Sequence, residues 1–337
     1  MQTVDGTEQV PWNYGPIVAV LIPCYNEAAA IGKVVSDFKA ALPDATIFVY
    51  DNNSTDGTGA AARLAGAVVR SEAQRGKGNV VRRMFADIEA DVFVLVDGDD
   101  TYDAFAAPAL IGHLLTHSLD MVNGARTANS DGAYRRGHRF GNLFLTGCVA
   151  HVFGNRLTDM LSGYRIFSRR FVKSFPALSG GFEIETELTV HALELRLPIA
   201  EIATNYGERP AGSASKLSTY RDGARILRMI LTLIKLEKPL EFFGAIFALL
   251  ALSSVLIEIP VIATYLDTGL VPRLPTAVLG TGIMLLAFLS LMCGMVLDTV
   301  TRGRIELKRL HYLSIPLRFS TIRPPVSRAA PALRAVP

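Results

Sequence analysis

Three carboxylates fall within four residues at Asp97-Gly98-Asp99-Asp100, directly after the apolar run Val92 to Val96. Like charges this close repel unless a cation or hydrogen-bond donors compensate. Hard carboxylate oxygens suit Mg2+ or Mn2+, ions that keep waters and take further oxygens from a substrate phosphate. The implied ligand is a diphosphate; the competing use of acids after a strand is a turn that caps the next helix. Asp51 adds a fourth carboxylate in DNNSTDGT (Asp51 to Thr58), where Asn, Ser, Thr and Gly supply turn chemistry and donors to a nucleoside. No GxGxxG follows the first apolar run and no GxxxxGK[ST] occurs. Both absences argue against a dinucleotide cofactor and a P-loop kinase or ATPase.

These residues all follow short β-branched runs. Ile17 to Ile22, Thr46 to Tyr50, Ala67 to Arg70 and Val92 to Val96 are continuously apolar, as in parallel strands covered on both faces. Between them, Ala28 to Leu42, Thr58 to Ala65, Asn79 to Ala90 and Pro108 to His117 have helical period and length. The alternation predicts a βαβ succession, whose ligands lie beyond the C-terminal strand ends. Those ends carry Pro23, Tyr25, Asn26 and Glu27, then Asp51 to Gly57, then the aspartate cluster.

Half of the 337 residues are hydrophobic and 19% are charged, with a mean hydropathy of +0.30. That is enough for a large core, too apolar for an ordinary soluble enzyme, and incompatible with disorder throughout. The 34 Lys and Arg against 31 acids leave +3, so no field of nucleic-acid strength exists. Phe242 to Leu266 and Thr276 to Leu297 are each long enough to cross a hydrocarbon core of roughly 30 Å. The second is uncharged, and the first has Glu258 and Pro260 near its far end. Only Asp267 and Arg273 stand between them, whereas 207–241 holds seven Lys and Arg and the stretch after Leu297 holds eight against two acids. The positive-inside rule then expects a multi-pass protein of the cytoplasmic membrane with both ends in the cytoplasm. Lys216 to Lys238 mixes basic and apolar residues as in helices on an anionic membrane surface, or in an amphipathic helix packed on the soluble domain. Cys24, Cys148 and Cys293 lie far apart without a CxxC pair, which excludes zinc ribbons and disulfide scaffolds and fits a reducing compartment.

The division expected is a flexible arm over 1–15, which has no signal-peptide core, a soluble domain over 16–215, an amphipathic segment over 216–241, a two-helix hairpin over 242–300 and a basic tail over 301–337. The Pro, Ala and Arg stretch from 324 to 337 reads as low complexity.

PCYNE (Pro23 to Glu27), DNNSTDGT, RGKGN (Arg75 to Asn79), DGDD, the NGAR ending in Arg126, and SGYR (Ser162 to Arg165) occur in an order that resembles family 2 glycosyltransferases of the GT-A fold. In layout the chain is similar to polyprenyl-phosphate glycosyltransferases such as dolichol-phosphate mannose synthase. The resemblance covers about residues 16–300. It implies an α/β fold with a mixed, mostly parallel sheet, followed by interface helices and two transmembrane helices. It implies a nucleotide-sugar donor, Mg2+ or Mn2+, a polyprenyl phosphate acceptor and membrane lipids as partners, no nucleic acid, and leaves self-association open. Asp97 and Asp99 match its metal motif, though DGDDTY stands where DAD is common, and Asp99 fits the spacing better than Asp100. Pro23, Tyr25, Glu27, Asp51, Asn53, Lys77 and Gly98 fall on its donor side. Arg126 and Arg139 match arginines near the acceptor phosphate, and Arg165, Arg209, Ser215 and Lys216 are further phosphate ligands it implies. Asp159 resembles a position credited with orienting the acceptor or acting as base.

The chemistry so implied brings two anions together, and convergent arginines meet phosphate in a bidentate geometry that lysine does not reproduce. In FEIETE, Glu183 and Glu187 share one helical face and Glu185 another. They read either as a wall of the sugar pocket or partner of the arginines, or as an acid-rich first turn. ERPAGSASKL reads as a loop that closes over a phosphate or as a basic anchor. A processive polysaccharide synthase is the rival enzyme, disfavoured by the absence of QxxRW and the small number of spans; a nonenzymatic scaffold is disfavoured by the intact acids.

Overall fold

The computed structural model describes residues 15–128, 157–181, 183–207, 232 and 234–316. The expected arm, Arg139, Arg209, Ser215, Lys216, most of the amphipathic segment and the 324–337 stretch lie outside them.

Four parallel strands come from the predicted runs: β1 (Val18–Cys24), β2 (Thr46–Asp51), β3 (Val68–Ser71) and β4 (Val92–Leu95). With β5 (Met121–Ala128), β6 (Arg165–Ser168) and β7 (Ile199–Tyr206), they form a sheet in the order β3-β2-β1-β4-β6-β5-β7. β6 is antiparallel to both β4 and β5; the other pairings are parallel. Because successive side chains point to opposite faces, β1 sends Ala19 and Leu21 into one apolar layer and Val20, Ile22 and Cys24 into the other. Helices α1 (Ala28–Ala41), α2 (Thr58–Leu64) and α4 (Ala107–Thr116) cover the second layer. The first is covered by α3 (Lys77–Asp87), α5 (Arg169–Ser174) and α6 (Ile184–Glu194). Within α1 the buried Ile31, Val34, Val35 and Phe38 repeat at the three-to-four spacing of one helical face. β1 lies between β2 and β4, so the strand order reverses at its C-terminal end, which opens a crevice there.

Two further helices, α7 (Pro239–Thr268) and α8 (Leu274–Ser314), are long and apolar enough to cross a membrane. They pack through small residues: Gly280, Ala287, Gly294 and Thr301 of α8 are buried at seven-residue intervals, and Ser254 Oγ donates to the Gly280 carbonyl at 2.8 Å. α8 does not stop near residue 300, where a tail was expected to begin. Its continuation places Thr301, Ile305, Lys308 and Tyr312 along one face, and Ile305 and Tyr312 pack on the apolar layer of the sheet. Tyr312 donates to Asp120 at 2.7 Å, Lys308 pairs with Glu194 of α6 at 2.6 Å, and Arg304 pairs at 2.7 Å with Glu237, just ahead of α7.

Candidate active site

The loops that follow β1 and β2 are stitched together. Asn26 N–H donates to Ser54 Oγ at 2.9 Å, Thr55 N–H to Asn26 Oδ1 at 2.9 Å, and Glu27 N–H to Thr58 Oγ1 at 2.9 Å. Asn26 and Asn53 take left-handed φ values of 53° and 65°, a conformation that asparagine tolerates better than most residues. Asp51 accepts from Ser54 N–H at 2.9 Å, which closes the turn. Pro23 lies within β1 rather than after it, paired in register with Tyr50, and Tyr25 and Glu27 follow at the mouth of the crevice. Asn53 donates to the Glu72 and Ala73 carbonyls at 3.2 and 3.0 Å, so its amide nitrogen ties the β2 and β3 loops together. Asn52, read from the sequence only as one of the turn residues of DNNSTDGT, is buried; it donates to the Glu72 and Gln74 carbonyls and accepts from Gly76 N–H at 2.7 Å, fixing the loop that delivers Lys77.

After β4 the aspartates separate into three environments. Asp97 receives the Lys77 ammonium at 2.5 Å, and the same ammonium reaches Glu185 at 2.5 Å. Burial pulls Lys77 down, but Asp97 and Glu185 outweigh it and hold it above its ordinary value. Asp99 is 4% exposed and accepts from Thr101 Oγ1 at 2.6 Å. Asp100, at φ 59°, pairs with Lys33 at 2.9 Å. Two glycines make room. A Cβ on Gly98 would meet Cys24 Sγ at 2.5 Å, and one on Gly163 would collide with the Asp97 carboxylate. No group of three or more His, Cys, Asp or Glu converges as a ligand set among the described residues. Two carboxylates with the other positions left to water and phosphate oxygens is the donor set that Mg2+ and Mn2+ accept, so Asp97 and Asp99 fit such an ion.

Across the crevice, β5 carries Arg126, whose guanidinium meets Asp159 with Nε at 2.7 Å and Nη2 at 2.7 Å. The Arg126 N–H also donates to that carboxylate at 3.1 Å, and the guanidinium carbon lies 5.5 Å from the Tyr206 ring centroid. Tyr206 pairs as an isolated bridge with Tyr102, whose hydroxyl accepts from Gly163 N–H at 2.8 Å. One chain of contacts therefore runs from Arg126 to the loop beside Asp97.

Arg165, expected at a phosphate, lies beneath the site instead. It has no exposed surface, and donates to the Ser162 and Met160 carbonyls and to Thr189 Oγ1 at 2.8 Å. Burial pulls its guanidinium down to about 10. The acid of FEIETE that meets the site is Glu185, and its partner is a lysine rather than an arginine. Glu187 instead accepts from the Leu178 and Ser179 N–H groups at 2.8 Å each.

A family model described as Glycosyl transferase family 2 matches residues 19–175. Glycosyltransferase AglJ of Haloferax volcanii is 37% identical over 231 residues, 68% of this chain and 76% of AglJ. The chain belongs to the family 2 glycosyltransferases. A dolichyl-phosphate hexose transferase of the same organism is 28% identical over 213 residues, 63% of this chain and 92% of that relative. Among solved structures, glucosyl-3-phosphoglycerate synthase from Mycobacterium tuberculosis in complex with Mn2+, UDP-glucose and phosphoglyceric acid matches with a TM-score of 0.54 at 26% identity, over 66% of this chain and 79% of that one. The fold of this glycosyltransferase is the expected mixed, mostly parallel GT-A sheet, and α7 and α8 are C-terminal to the family match.

Proposed function

We propose that this glycosyltransferase moves a sugar from a nucleotide-diphosphate sugar, a UDP-sugar in preference to GDP-mannose, onto polyprenyl phosphate. The observation that carries the reading is a sheet edge with an acid pair on one side and the Arg126–Asp159 pair on the other, in a chain whose α8 continues from an apolar helix onto the back of the same sheet. The resemblance to a dolichyl-phosphate hexose transferase supports the lipid acceptor, and a neighbour holding Mn2+ and UDP-glucose supports the donor.

The acceptor phosphate monoester is anionic at neutral pH and needs little help from a base. One of its oxygens attacks the anomeric carbon while the bond from that carbon to the diphosphate breaks and its electron pair leaves with the nucleotide. Asp97 and Asp99 would hold a divalent ion, which when bound supplies neutralising charge to the leaving diphosphate. Asp51, Tyr25, Glu27 and Pro23 line the nucleoside end, and Lys77 adds a fixed cation beside Asp97. Arg126, with Arg139, brings positive charge to the acceptor phosphate, and Asp159 orients that phosphate or takes its residual proton. Arg209, Ser215 and Lys216 complete the phosphate contacts. A single in-line displacement inverts the anomeric carbon, so an α-linked donor gives a β-linked lipid.

In this reading α7 and α8 cross the cytoplasmic membrane and the catalytic domain lies on its cytoplasmic side, with basic residues at the lipid headgroups. Purified protein in detergent, supplied with one donor and either polyprenyl phosphate or phosphoglycerate, tests it. Turnover should require the lipid; equal rates on the soluble phosphate would overturn the acceptor assignment.

A further inference from the structure

Asp159 stands on a turn whose main chain is held by two residues given no role so far, Asn123, which opens NGAR, and Glu201, which lies outside every motif. Asn123 of β5 and Glu201 of β7 are partners in the parallel register. The Asn123 amide nitrogen donates to the Asp159 carbonyl at 2.8 Å and to Glu201 Oε1 at 2.8 Å. Glu201 Oε1 also accepts from Asp159 N–H at 3.1 Å, and its Oε2 accepts from Thr158 N–H at 2.7 Å and Thr158 Oγ1 at 2.6 Å. Both main-chain polar atoms of Asp159 are thus tied to this pair. Four donors converge on two oxygens, a demand that an ionised carboxylate meets and an amide does not, because an amide presents a donor where one oxygen must accept.

We propose that Glu201, braced by Asn123, is a positioning residue that sets the direction of the Asp159 carboxylate. The proposal rests on the reading of Asp159 as the group that orients or deprotonates the acceptor. Asp159 faces Arg126 through two parallel hydrogen bonds, and that geometry holds only while the 158–159 turn keeps its height above the sheet. A displacement of about 1 Å at a reacting group is enough to cost on the order of 100-fold in rate. The negative charge of Glu201 is directed at N–H and O–H groups of the turn, so its effect on the reaction passes through Asp159.

A double-mutant cycle separates this role from a general contribution to folding. Asp159→Asn should slow turnover roughly 100-fold, Glu201→Gln roughly 10-fold with donor KM within about twofold of the parent, and the double variant no more than Asp159→Asn alone. Thr158→Ala, which removes one of the four donors and leaves the buried network in place, should give a smaller loss, also absent in the Asp159→Asn background. Multiplying losses in the double variants, or a fully active Glu201→Gln, would overturn the positioning role. A fully active Asp159→Asn would overturn the reading beneath it, a distinct result.

Discussion

A methyl group at residue 163 would stand where the Asp97 carboxylate does, and the only relief is movement of that carboxylate. Gly163→Ala should therefore raise the Mn2+ concentration needed for half-maximal activity at least ~10-fold, in a protein that still folds at a cost of about 1–3 kcal/mol for the inserted methyl group. An unchanged metal titration would show that Asp97 is not a ligand. The neighbouring acids are separable in the same way. Asp99 is buried against Thr101, whereas Asp100 is engaged with the exposed Lys33, so Asp99→Asn should abolish turnover and Asp100→Asn should change it less than about threefold, the scale of a surface ion pair. The reverse order of effects would move the metal motif by one residue. RGKGN singled out Lys77, but its partner Glu185 is 108 residues away, and the two loops meet through the close approach of Gly76 and Gly78 to Ser179 and Gly180, with Gly78 N–H donating to the Gly181 carbonyl at 3.1 Å. Arg165 misled for a related reason. A basic residue in a motif looks like a phosphate ligand, and the partner that receives it, Thr189, stands 24 residues later on a helix of the buried layer.

At the scale of elements, β1, β2, β3 and β4 were readable because each follows a short, continuously apolar run between turn-forming stretches. β5 was not, because MVNGARTA places Asn123 and Arg126 among apolar residues; each donates to a long-range partner, Glu201 and Asp159 respectively, that local pattern does not reveal. The continuation of α8 was read as a charged tail because Arg302, Arg304, Lys308 and Arg309 dominate it, yet two of these charges are paired with buried acids of the domain. Glu237 lies between burial and the nearby Glu194 carboxylate, which push it up to about 7, with Arg304 opposing them. An acid whose pKa is raised by folding contributes stability that is complete below its unfolded value near 4.5 and is lost as pH rises through about 7. Hydrogen exchange across 301–314 should accordingly quicken between pH 5 and pH 7.5, after correction for intrinsic rates, and the Glu237→Gln protein should lose that dependence. Equal pH dependence in both would place the titration elsewhere.

Across the whole molecule, one helix is both apolar over Thr276 to Leu297 and fastened to the α/β domain through Lys308, at Glu194 of α6, and Tyr312, at Asp120 ahead of β5. In the proposed reading this holds the crevice at a set height above the membrane surface, where the phosphate of a long-chain lipid lies and a soluble acceptor has no advantage. Tyr312→Phe and Lys308→Met together should raise the KM for the lipid several-fold and leave the donor KM unchanged; an equal rise in both would mean that the fastening serves folding alone. The central claim is glycosyl transfer to a lipid monophosphate, and the mass of the lipid product tests it most directly. Purified protein given a panel of nucleotide sugars, Mn2+ and a C55 polyprenyl phosphate should yield a lipid heavier by one sugar, with a single phosphate and a β linkage by NMR coupling from an α-linked donor. A product carrying two phosphates, a retained configuration, or an unmodified lipid with every donor while a soluble acceptor is glycosylated would contradict the account.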